Sequence, residues 1–421
     1  MTPRRVVVTG LGIVSAAGRD LDTFWSRLRD GRSTVRGIRR FDASAYPTRV
    51  AAEIDEIDFR AESNLPAEWE RRGRIGQFAA LAVERAVDDA RIPPAMARDR
   101  IGIVIASGLG THEHVEVIGP AAAAARSTRE DFDWETFAVE SRRLIRERAA
   151  ERRSPGSIPT LLAEQYDLRG PVMSVMTACA GGTQALGDAR RWIRAGHADC
   201  VIAAGADSEI YPLGLASFCL LGALSRQNDD PAAASRPFDA RRDGFVIGEG
   251  GGALVLEERE HALARGARIY AEVAGFGSAS DAYRVTDPHP EGTGAVLAIT
   301  RALADANVPA EEIDYINAHG TSTLAIKRVF GERASRIPVS STKSMIGHAT
   351  VAAGAIEAVA TVLTLEHQVV HPTINQDERD AACDLDYVPN EARPARVERA
   401  LSNSFAFGGQ SAVVVFERHH S

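Results

Sequence analysis

The sequence has 421 residues, of which 45% are hydrophobic and 25% charged, and it carries a net charge of −8. These values are ordinary for a globular protein with a large core, and the negative charge argues against binding to nucleic acid or to an anionic membrane. No apolar run is long and uninterrupted enough to span a bilayer. The four cysteines include no CxxC pair, so neither a disulfide framework nor a zinc site is indicated, and a reducing, cytoplasmic location is expected.

The first residues, MTPRRVVVTGLGIVSAAG, imitate a secretory signal because two arginines precede an apolar run. Their glycines, and the amphipathic LDTFWSRL that follows, favour a first strand and a first helix instead. Gly10, Gly12 and Gly18 also suggest a dinucleotide-binding loop, but Ser15 stands where the GxGxxG pattern needs its third glycine. A dinucleotide-binding oxidoreductase is therefore a weak alternative.

Short β-branched runs recur along the chain and alternate with helical patterns such as residues 75–90 and 296–306. This alternation predicts an α/β protein with a buried and largely parallel sheet. Residues 121–153 depart from it with an alanine run and a charged, helix-prone segment, interpreted as a solvated helical excursion or, alternatively, a partner-binding element. The predicted strands lie in RRVVVTGLG, RIGIVIASG, ADCVIAAGAD, GGALVLEE, IDYINAHG and SAVVVFE.

The segment MTACAGG places Cys179 before two glycines and a predicted helix. A thiol at a helix N-terminus faces the positive end of the helix dipole and free backbone N–H groups, which favours the thiolate. The small residues that follow leave room for a substrate, although a small buried structural cysteine is the alternative. Cys200, Cys219 and Cys383 lack these features and are interpreted as structural.

Two histidine motifs follow. In NAHGTST, His319 comes directly after an apolar strand, where loops carry function, and Thr321 and Thr323 can orient its neighbours. In SSTKSMIGHATVAAGA, His348 stands near the start of a helix, as the cysteine does. Lys343 is one of only two lysines in an arginine-rich chain, so it indicates a need for a compact ammonium group.

Near the C-terminus, NSFAFGGQSAVVVF contains two glycines that permit a tight turn before a buried strand. A backbone N–H in this turn would complete an oxyanion hole, and the side chains of Phe405 and Phe407 would line a pocket. A β-bulge beside core phenylalanines explains this segment equally well.

The two halves of the chain echo each other. TACAGGTQALGDARRWIRAG and IGHATVAAGAIEAVATVLTLEH each place a reactive residue type before a helix rich in glycine and alanine. We therefore expect two similar halves, residues 1–255 and 256–421, whose helix N-termini meet at one site.

Taken in this order, the motifs resemble the β-ketoacyl-acyl carrier protein synthase family, both the elongating enzymes of fatty-acid synthesis and the ketosynthase subunits of type II polyketide synthases. The resemblance implies a thiolase-like α/β fold of two pseudo-repeated halves, layered αβαβα. It also implies a homodimer, or a heterodimer with a chain-length subunit. It is carried over nearly the whole chain by VVVTGLGIVS, YDLRGPVMSVMTACAGG, ASRPFDARRDGFVIGEGGGALVLEE, SASDAYRVTDPHPEGTGA, NAHGTST, STKSMIGHATVAAGAIEA and NSFAFGGQ.

The resemblance implies that Cys179 accepts the acyl chain and forms a catalytic triad with His319 and His348. The acyl and malonyl groups arrive on the phosphopantetheine of acyl carrier protein. Malonyl loses carbon dioxide, and the resulting enolate attacks the cysteine thioester. Neither a metal nor another cofactor is implied.

The remaining site residues also follow from the resemblance. Lys343 matches an active-site lysine, and Glu357 matches a buried acidic residue of the same polar network. Phe407 matches a gating phenylalanine whose backbone N–H joins that of the cysteine in the oxyanion hole. Phe405, Thr321 and Thr323 have supporting roles.

An acidic carrier protein requires a local basic patch on this negatively charged chain. ERRGR offers Arg71, Arg72 and Arg74, whereas Arg126 and Arg129 are weaker candidates. A solvated charged face is the alternative.

Two departures from the family pattern stand out. The excursion at residues 121–153 is longer and more charged than the corresponding family segment. HGTST also runs directly into a helix where family members carry a short loop. Because Thr323 and Leu324 are poor turn formers, we expect a segment to be missing from the sequence between them, rather than a true deletion with a rebuilt turn.

Two related classes of protein are weighed against a catalytic synthase. A non-catalytic chain-length partner would have the same fold but would lack the cysteine. A degradative thiolase would carry a second reactive cysteine where this chain has FAFGGQ.

Overall fold

The computed structural model describes residues 4–108, 114–125, 132–144, 154 and 156–420 of the chain. Within those ranges, no helix is both long and apolar enough to cross a membrane. Two sets of five strands dominate the backbone, one set from each half of the chain, and helices pack on them.

Five main strands belong to the N-terminal half. They are β1 (Val6–Ser15), β2 (Ile101–Ser107), β3 (Val172–Val175), β4 (Cys200–Ser208) and β5 (Ile247–Glu258). They pair in the order β3-β2-β4-β5-β1, in which β2 is parallel to both neighbours and β5 is antiparallel to both of its own. The predicted division at residue 255 lies inside β5.

Five main strands of the C-terminal half repeat this arrangement. They are β6 (Ala271–Ser280), β7 (Tyr315–Asn317), β8 (Val339–Ser340), β9 (Arg399–Phe405) and β10 (Gln410–Arg418). They pair in the order β8-β7-β9-β10-β6, and every parallel or antiparallel contact has its counterpart in the first half. The prediction of two pseudo-repeated halves is confirmed.

The prediction of a largely parallel sheet is wrong, because the reversed strands β5 and β10 make the sheet mixed. Strands buried on both faces have nearly continuous apolar sequences whether they run parallel or antiparallel, so the sequence pattern does not separate the two cases. The two sets join through β1 and β6, which pair only at Val7–Glu272 and Val8–Ala271. Four short strands complete the pairing: Arg36–Gly37, Val50–Ala52, Val369–Val370 and Arg393–Pro394.

The helices lie between and outside the two sets of strands. They are α1 (Leu21–Arg29), α2 (Phe59–Glu62), α3 (Gly73–Ala90), α4 (His114–Ala124), α5 (Trp134–Leu144), α6 (Ser157–Gln165), α7 (Gly181–Arg194), α8 (Pro212–Leu220), α9 (Arg259–Ala264), α10 (Thr293–Ala306), α11 (Thr323–Phe330), α12 (Lys343–Ile346) and α13 (Ala353–His367). α7 and α13 contact strands of both sets, whereas α3 covers the first set and α10 the second. These contacts produce the αβαβα layering.

The two central helices cross at a pair of glycines. A Cβ atom on Gly182 would lie 2.3 Å from the backbone nitrogen of Ala355, and one on Gly354 would lie 2.3 Å from Oγ1 of Thr183. No side chain fits at either position without moving backbone or a neighbouring residue. The glycines therefore let the first turns of α7 and α13 meet.

The chain passes directly from His319 into α11 without an additional loop. The Ile326 N–H donates to the Ser322 carbonyl at 2.9 Å, so the first turn of the helix is intact across Thr323 and Leu324. The expectation that a segment is missing between these two residues stays a prediction. Gly320, with a φ of +111°, makes the turn before the helix begins, and a turn by Thr323 itself is not needed.

The described part of the segment at 121–153 is helical, as predicted. α4 and α5 pack against each other, and Trp134 is 72% exposed on this pair. Arg126 and Arg129, the weaker docking candidates, lie outside the described residues.

Candidate active site

Cys179 lies in a single 3₁₀ turn, Ala178–Ala180, that runs directly into α7. Ala178 has a φ of +45°, a left-handed conformation that costs a residue with a side chain about 1 kcal/mol or more. Strain of this kind is typical of functional sites. The prediction that this cysteine stands at a helix start agrees with its position in the structure.

His348 makes the direct contact with the sulfur. Its Nε2 lies 3.1 Å from Sγ of Cys179. The backbone of His348 is held against the start of β5, because its N–H donates to the Val246 carbonyl at 2.7 Å and its carbonyl accepts from Gly248 at 2.9 Å. The imidazole is therefore positioned by the N-terminal half although it belongs to the C-terminal half.

His319 completes the group from the end of β7. Its backbone N–H donates to Oδ1 of Asn403 at 2.8 Å. The two imidazoles meet edge to face, with ring centroids 5.1 Å apart. One potential ligand atom from each of Cys179, His319 and His348 lies within 4.8 Å of the other two, so the three residues predicted as a triad are brought together.

Burial determines the protonation of all three groups. It raises the pKa of the Cys179 thiol to about 11, although the nearby charge of Lys343 and backbone N–H groups lower it. Burial and the charge of Lys343 also hold the pKa of His319 and His348 well below 6.5. Desolvation is the largest influence on the pKa of this thiol, and it opposes the effect expected of the helix start. A neutral thiol faces a neutral imidazole that can accept its proton.

Lys343 lies behind the histidines and is ion-paired with Glu357 of α13. Both side chains are buried, with only 8% and 1% of their surface exposed. Burial raises the pKa of the Glu357 carboxyl, and the lysine opposes this shift. The pair places a fixed ammonium charge beside the imidazoles, as the sequence predicted for this lysine.

The turn at Phe407 brings a backbone donor to the sulfur. The N–H groups of Phe407 and of Cys179 itself lie close enough to the sulfur to lower the pKa of its thiol, against the larger effect of burial. Phe407 begins a short 3₁₀ turn in which Gly408 has a φ of +84°. An oxyanion hole needs two backbone N–H groups beside the nucleophile, and that role stays a prediction for Cys179 and Phe407.

The triad opens into a cavity of about 460 Å³. Its walls are largely apolar, and Phe245 stands edge to face against His348 at 5.3 Å between ring centroids. The residues with a predicted role that line it are Cys179, His319, Thr321, Lys343, His348, Phe405 and Phe407. A cavity of this size with a few convergent polar groups is suited to an acyl chain.

The three residues predicted to support the triad lie at different distances from it. Phe405 packs near His319, with ring centroids 6.2 Å apart. Thr321 is exposed on the wall of the cavity, whereas the Thr323 hydroxyl is turned away and shares a hydrogen bond of 2.7 Å with Tyr387. Thr323 thus anchors α11 rather than contacting the triad.

Asp207 and Asn403 also support the site, although the sequence does not single them out. Asp207, buried at the end of β4, accepts hydrogen bonds from the Thr350 hydroxyl and from the Val351 N–H, at 3.1 Å for the latter. Asn403 accepts from the N–H of His319 and, at 3.1 Å, from the Ser322 hydroxyl. The only signal in the sequence is that each polar residue ends or interrupts an apolar strand.

The three arginines predicted to dock the carrier protein differ in how accessible they are to a partner. Arg71 is exposed and Arg72 half-buried at the start of α3. Arg74 is ion-paired with the buried Glu249 and donates to the Ile54 carbonyl at 2.8 Å. Arg74 is therefore a structural residue, and its place in the docking patch is corrected.

Comparison with known proteins agrees with this geometry. Residues 3–262 match the family model described as the beta-ketoacyl synthase N-terminal domain, and residues 270–377 match that of its C-terminal domain. The chain is 40% identical to the 3-oxoacyl-[acyl-carrier-protein] synthase 2 of Coxiella burnetii, covering 99% of each chain. It is 42% identical to a putative polyketide beta-ketoacyl synthase 1 of Streptomyces cyaneus, covering 98% of each.

Two solved structures are also similar along the full length. One is a type II polyketide ketosynthase bound to a hexaketide and in complex with its acyl-carrier protein, with a TM-score of 0.88 and 36% identity over 100% of each chain. The other is the ishigamide ketosynthase/chain length factor, with a TM-score of 0.88 and 35% identity over 100% of each chain.

Proposed function

The chain belongs to the beta-ketoacyl synthase family. From that premise we propose that the Cys179 sulfur accepts the acyl chain and holds it as a thioester during the reaction. Enzymes of this kind are β-ketoacyl-acyl carrier protein synthases of fatty-acid or polyketide biosynthesis, and this chain is such an acyltransferase. The single observation that carries the assignment is the 3.1 Å contact between Sγ of Cys179 and Nε2 of His348 inside the cavity.

In the first half-reaction, the sulfur attacks the carbonyl carbon of an acyl thioester on the carrier protein. The thiol proton passes to Nε2 of His348, because this imidazole is neutral and its nitrogen faces the sulfur. The tetrahedral oxyanion accepts hydrogen bonds from the N–H groups of Cys179 and Phe407. It then collapses, the carbon–sulfur bond to the carrier breaks, and the carrier thiol leaves with the proton.

In the second half-reaction, malonyl-carrier protein loses carbon dioxide, and the electron pair of the broken bond forms an enolate. The enolate oxygen accepts a hydrogen bond from an N–H group of His319, and one from Nε2 of His348 after the ring proton of that imidazole has moved from Nδ1 to Nε2. Lys343 adds a nearby positive charge. The enolate carbon attacks the Cys179 thioester, the new carbon–carbon bond forms, and the carbon–sulfur bond breaks. The cysteine leaves as a thiolate, which takes up one proton from water and so returns to the thiol. No step requires a metal or a redox cofactor.

The partners follow from the same assignment. Acyl carrier protein delivers both groups, which is supported by the related ketosynthase that forms a complex with its acyl-carrier protein. The chain works as a homodimer or beside a chain-length subunit, as the related ketosynthase/chain length factor suggests. Arg71 and Arg72 are the proposed contact for the acidic carrier, because they are the accessible members of the predicted patch.

The test is to incubate the protein with acylated carrier protein, without malonyl-carrier protein, and to measure the intact mass of the synthase chain. We expect the mass to rise by one acyl group, located on the peptide that contains Cys179. Cys179→Ala should stay unmodified, whereas the matched variant Cys219→Ala should be acylated like the unaltered chain. Acylation of Cys179→Ala at another residue would reject the assignment.

A further inference from the structure

The three reacting side chains also satisfy the geometry of a metal site. One ligand atom from each of Cys179, His319 and His348 lies within 4.8 Å of the others, and the sulfur and one nitrogen are 3.1 Å apart. In a tetrahedral zinc site, with bonds of about 2.3 Å to sulfur and about 2.0–2.1 Å to nitrogen, neighbouring ligand atoms are roughly 3.3–3.6 Å apart. Side-chain adjustments of about 1 Å therefore bring the three ligands to one ion.

The chemistry of the ligands selects the ion. Two imidazoles and a thiolate are preferred by zinc and disfavoured by magnesium or calcium, which require oxygen ligands. Nε2 of His348 already lies 3.1 Å from the sulfur, which is close to the spacing of two ligands in a tetrahedral site. The cysteine binds a metal as a thiolate, so its proton leaves when the ion binds.

The surroundings make such a site reversible rather than permanent. Nδ1 of His319 and Nδ1 of His348 are buried without a hydrogen-bond partner, whereas imidazoles in permanent sites donate this N–H to an acceptor. The charge of Lys343 opposes a cation, although its ion pair with Glu357 reduces the opposition. The cavity leaves the fourth coordination position open to water.

We propose that Cys179, His319 and His348 bind a zinc ion reversibly in the unacylated protein, and that the bound ion blocks transfer of the acyl chain to the sulfur. This inhibition rests on the proposed function of Cys179, because it matters only where that sulfur is the acyl acceptor. In the part of the chain that the structure describes, no second group of histidine, cysteine and acidic side chains comes together in this way.

The experiment measures alkylation of each cysteine by iodoacetamide, with zinc chloride or magnesium chloride added to the metal-free full-length protein. At a zinc concentration ten times the apparent dissociation constant, we expect alkylation of Cys179 to be about tenfold slower, because about a tenth of the sites remain free. Cys219 and Cys383, which are both partly accessible, serve as internal controls and should not change. Magnesium should protect none of them, and a chelator should restore the rate.

Variants of the histidines decide whether the site is the one described. In His319→Asn and His348→Asn, the ratio of alkylation rates without and with zinc should fall to near one. Cobalt(II), added as a spectroscopic probe, should give a thiolate-to-metal absorption band that is lost in Cys179→Ala. Equal protection of Cys219, or protection retained in both histidine variants, would overturn the proposal.

Failure of the zinc site is distinguishable from failure of the proposed function. Acylation of Cys179 by acyl-carrier protein is measured in the metal-free protein, where zinc plays no part. Normal acylation without zinc protection rejects the zinc site alone, whereas zinc protection without acylation rejects the proposed role of the sulfur.

Discussion

The two central helices begin in the same way, yet only one of them begins at a nucleophile. Ala178 and Thr350 have φ values of +45° and +44°, and each starts a 3₁₀ turn that runs into a helix, α7 or α13. In this comparison Val351 takes the place of Cys179. His348, which the sequence suggested as the counterpart of the cysteine, precedes the turn and forms an isolated β-bridge with Ile247.

Each helix start is also held by a strand of the other half. Asp207 of β4 binds the turn that begins α13, and Ser404 of β9 shares a hydrogen bond of 2.8 Å with Thr183 in the first turn of α7. The two repeated halves therefore hold each other's central helix by equivalent hydrogen bonds. Chemistry arises where the equivalence is broken, with the sulfur from one half and both imidazoles from the other.

The strongest test of this asymmetry replaces each of the two equivalent residues by alanine and compares the effects. Cys179→Ala should lower condensation by more than about 10³-fold, because it removes the nucleophile. Val351→Ala, at the matching position of α13, should lower the free energy of unfolding by about 1–3 kcal/mol and leave condensation within a few-fold. Product formation is followed by mass spectrometry of the carrier protein and stability by urea denaturation. An equal loss of condensation in both variants would contradict the comparison.

The two histidines should differ in the half-reaction they affect. His348→Ala should slow both acyl transfer to Cys179 and condensation, because Nε2 of His348 accepts the thiol proton. His319→Ala should lower condensation by about 10²–10³-fold, as the loss of an oxyanion donor does, and should preserve acyl transfer much better. Intact-mass measurement of the acyl-enzyme separates the steps. Equal loss of both steps in His319→Ala would remove the proposed division.

The glycine crossing should behave symmetrically. Gly182→Ala and Gly354→Ala each place a Cβ about 2.3 Å from an atom of the other helix, so each should reduce the free energy of unfolding by about 1–3 kcal/mol or more. Gly222→Ala provides a control, although its φ of +66° adds a small backbone penalty, because no atom lies within 4 Å of its added Cβ. Thermal unfolding measures all three. A glycine variant at the crossing as stable as the unaltered chain would contradict the close approach.

The pH dependence of Cys179 alkylation shows whether burial or the helix dipole has the larger effect on the pKa of its thiol. Because burial raises the pKa of its thiol to about 11, the thiolate fraction should grow about tenfold with each pH unit below that value. Alkylation of Cys179 in the metal-free protein should therefore keep rising between about pH 7 and pH 9. A plateau reached below pH 8 would show that the helix start, and not burial, governs the thiol.

The smallest expected effect concerns the outer helices. α3 is preceded by Arg71 and Arg72, whereas its counterpart α10 is preceded by Glu291, so only the first half offers a basic entrance. Reversing both arginines to glutamate should raise KM for the carrier protein several-fold and leave kcat nearly unchanged, with weaker effects at high salt. Arg301→Glu on α10 is the matched control. An unchanged KM would reject the patch.

Much of the site was predictable because its parts lie beside local signals. Cys179 and Phe407 stand next to glycines at turns, His319 follows an apolar strand, and Lys343 is a rare lysine in a chain of arginines. The repeat was predictable because both halves place a helix rich in glycine and alanine after a reactive residue. These features depend on a few neighbouring residues, which a sequence displays directly.

The errors concern properties that depend on distant residues. The partnership of Arg74 with Glu249 and that of Asp207 with the start of α13 join positions far apart in sequence. The thiol pKa depends on how much protein surrounds the sulfur, which no short motif records. The direction of β5 is likewise a result of strand pairing, and its apolar sequence is compatible with either direction.

The position of β1 has a consequence for how the protein is made. Val6–Ser15 leaves the ribosome well before its ladder partners β5 and β6, which begin at Ile247 and Ala271. Most of the chain must be synthesised before this buried strand can pair, so it is exposed as an apolar edge during translation. We infer that folding of the nascent chain is late and cooperative, and that the sulfur and the imidazoles come together only after both halves have left the ribosome.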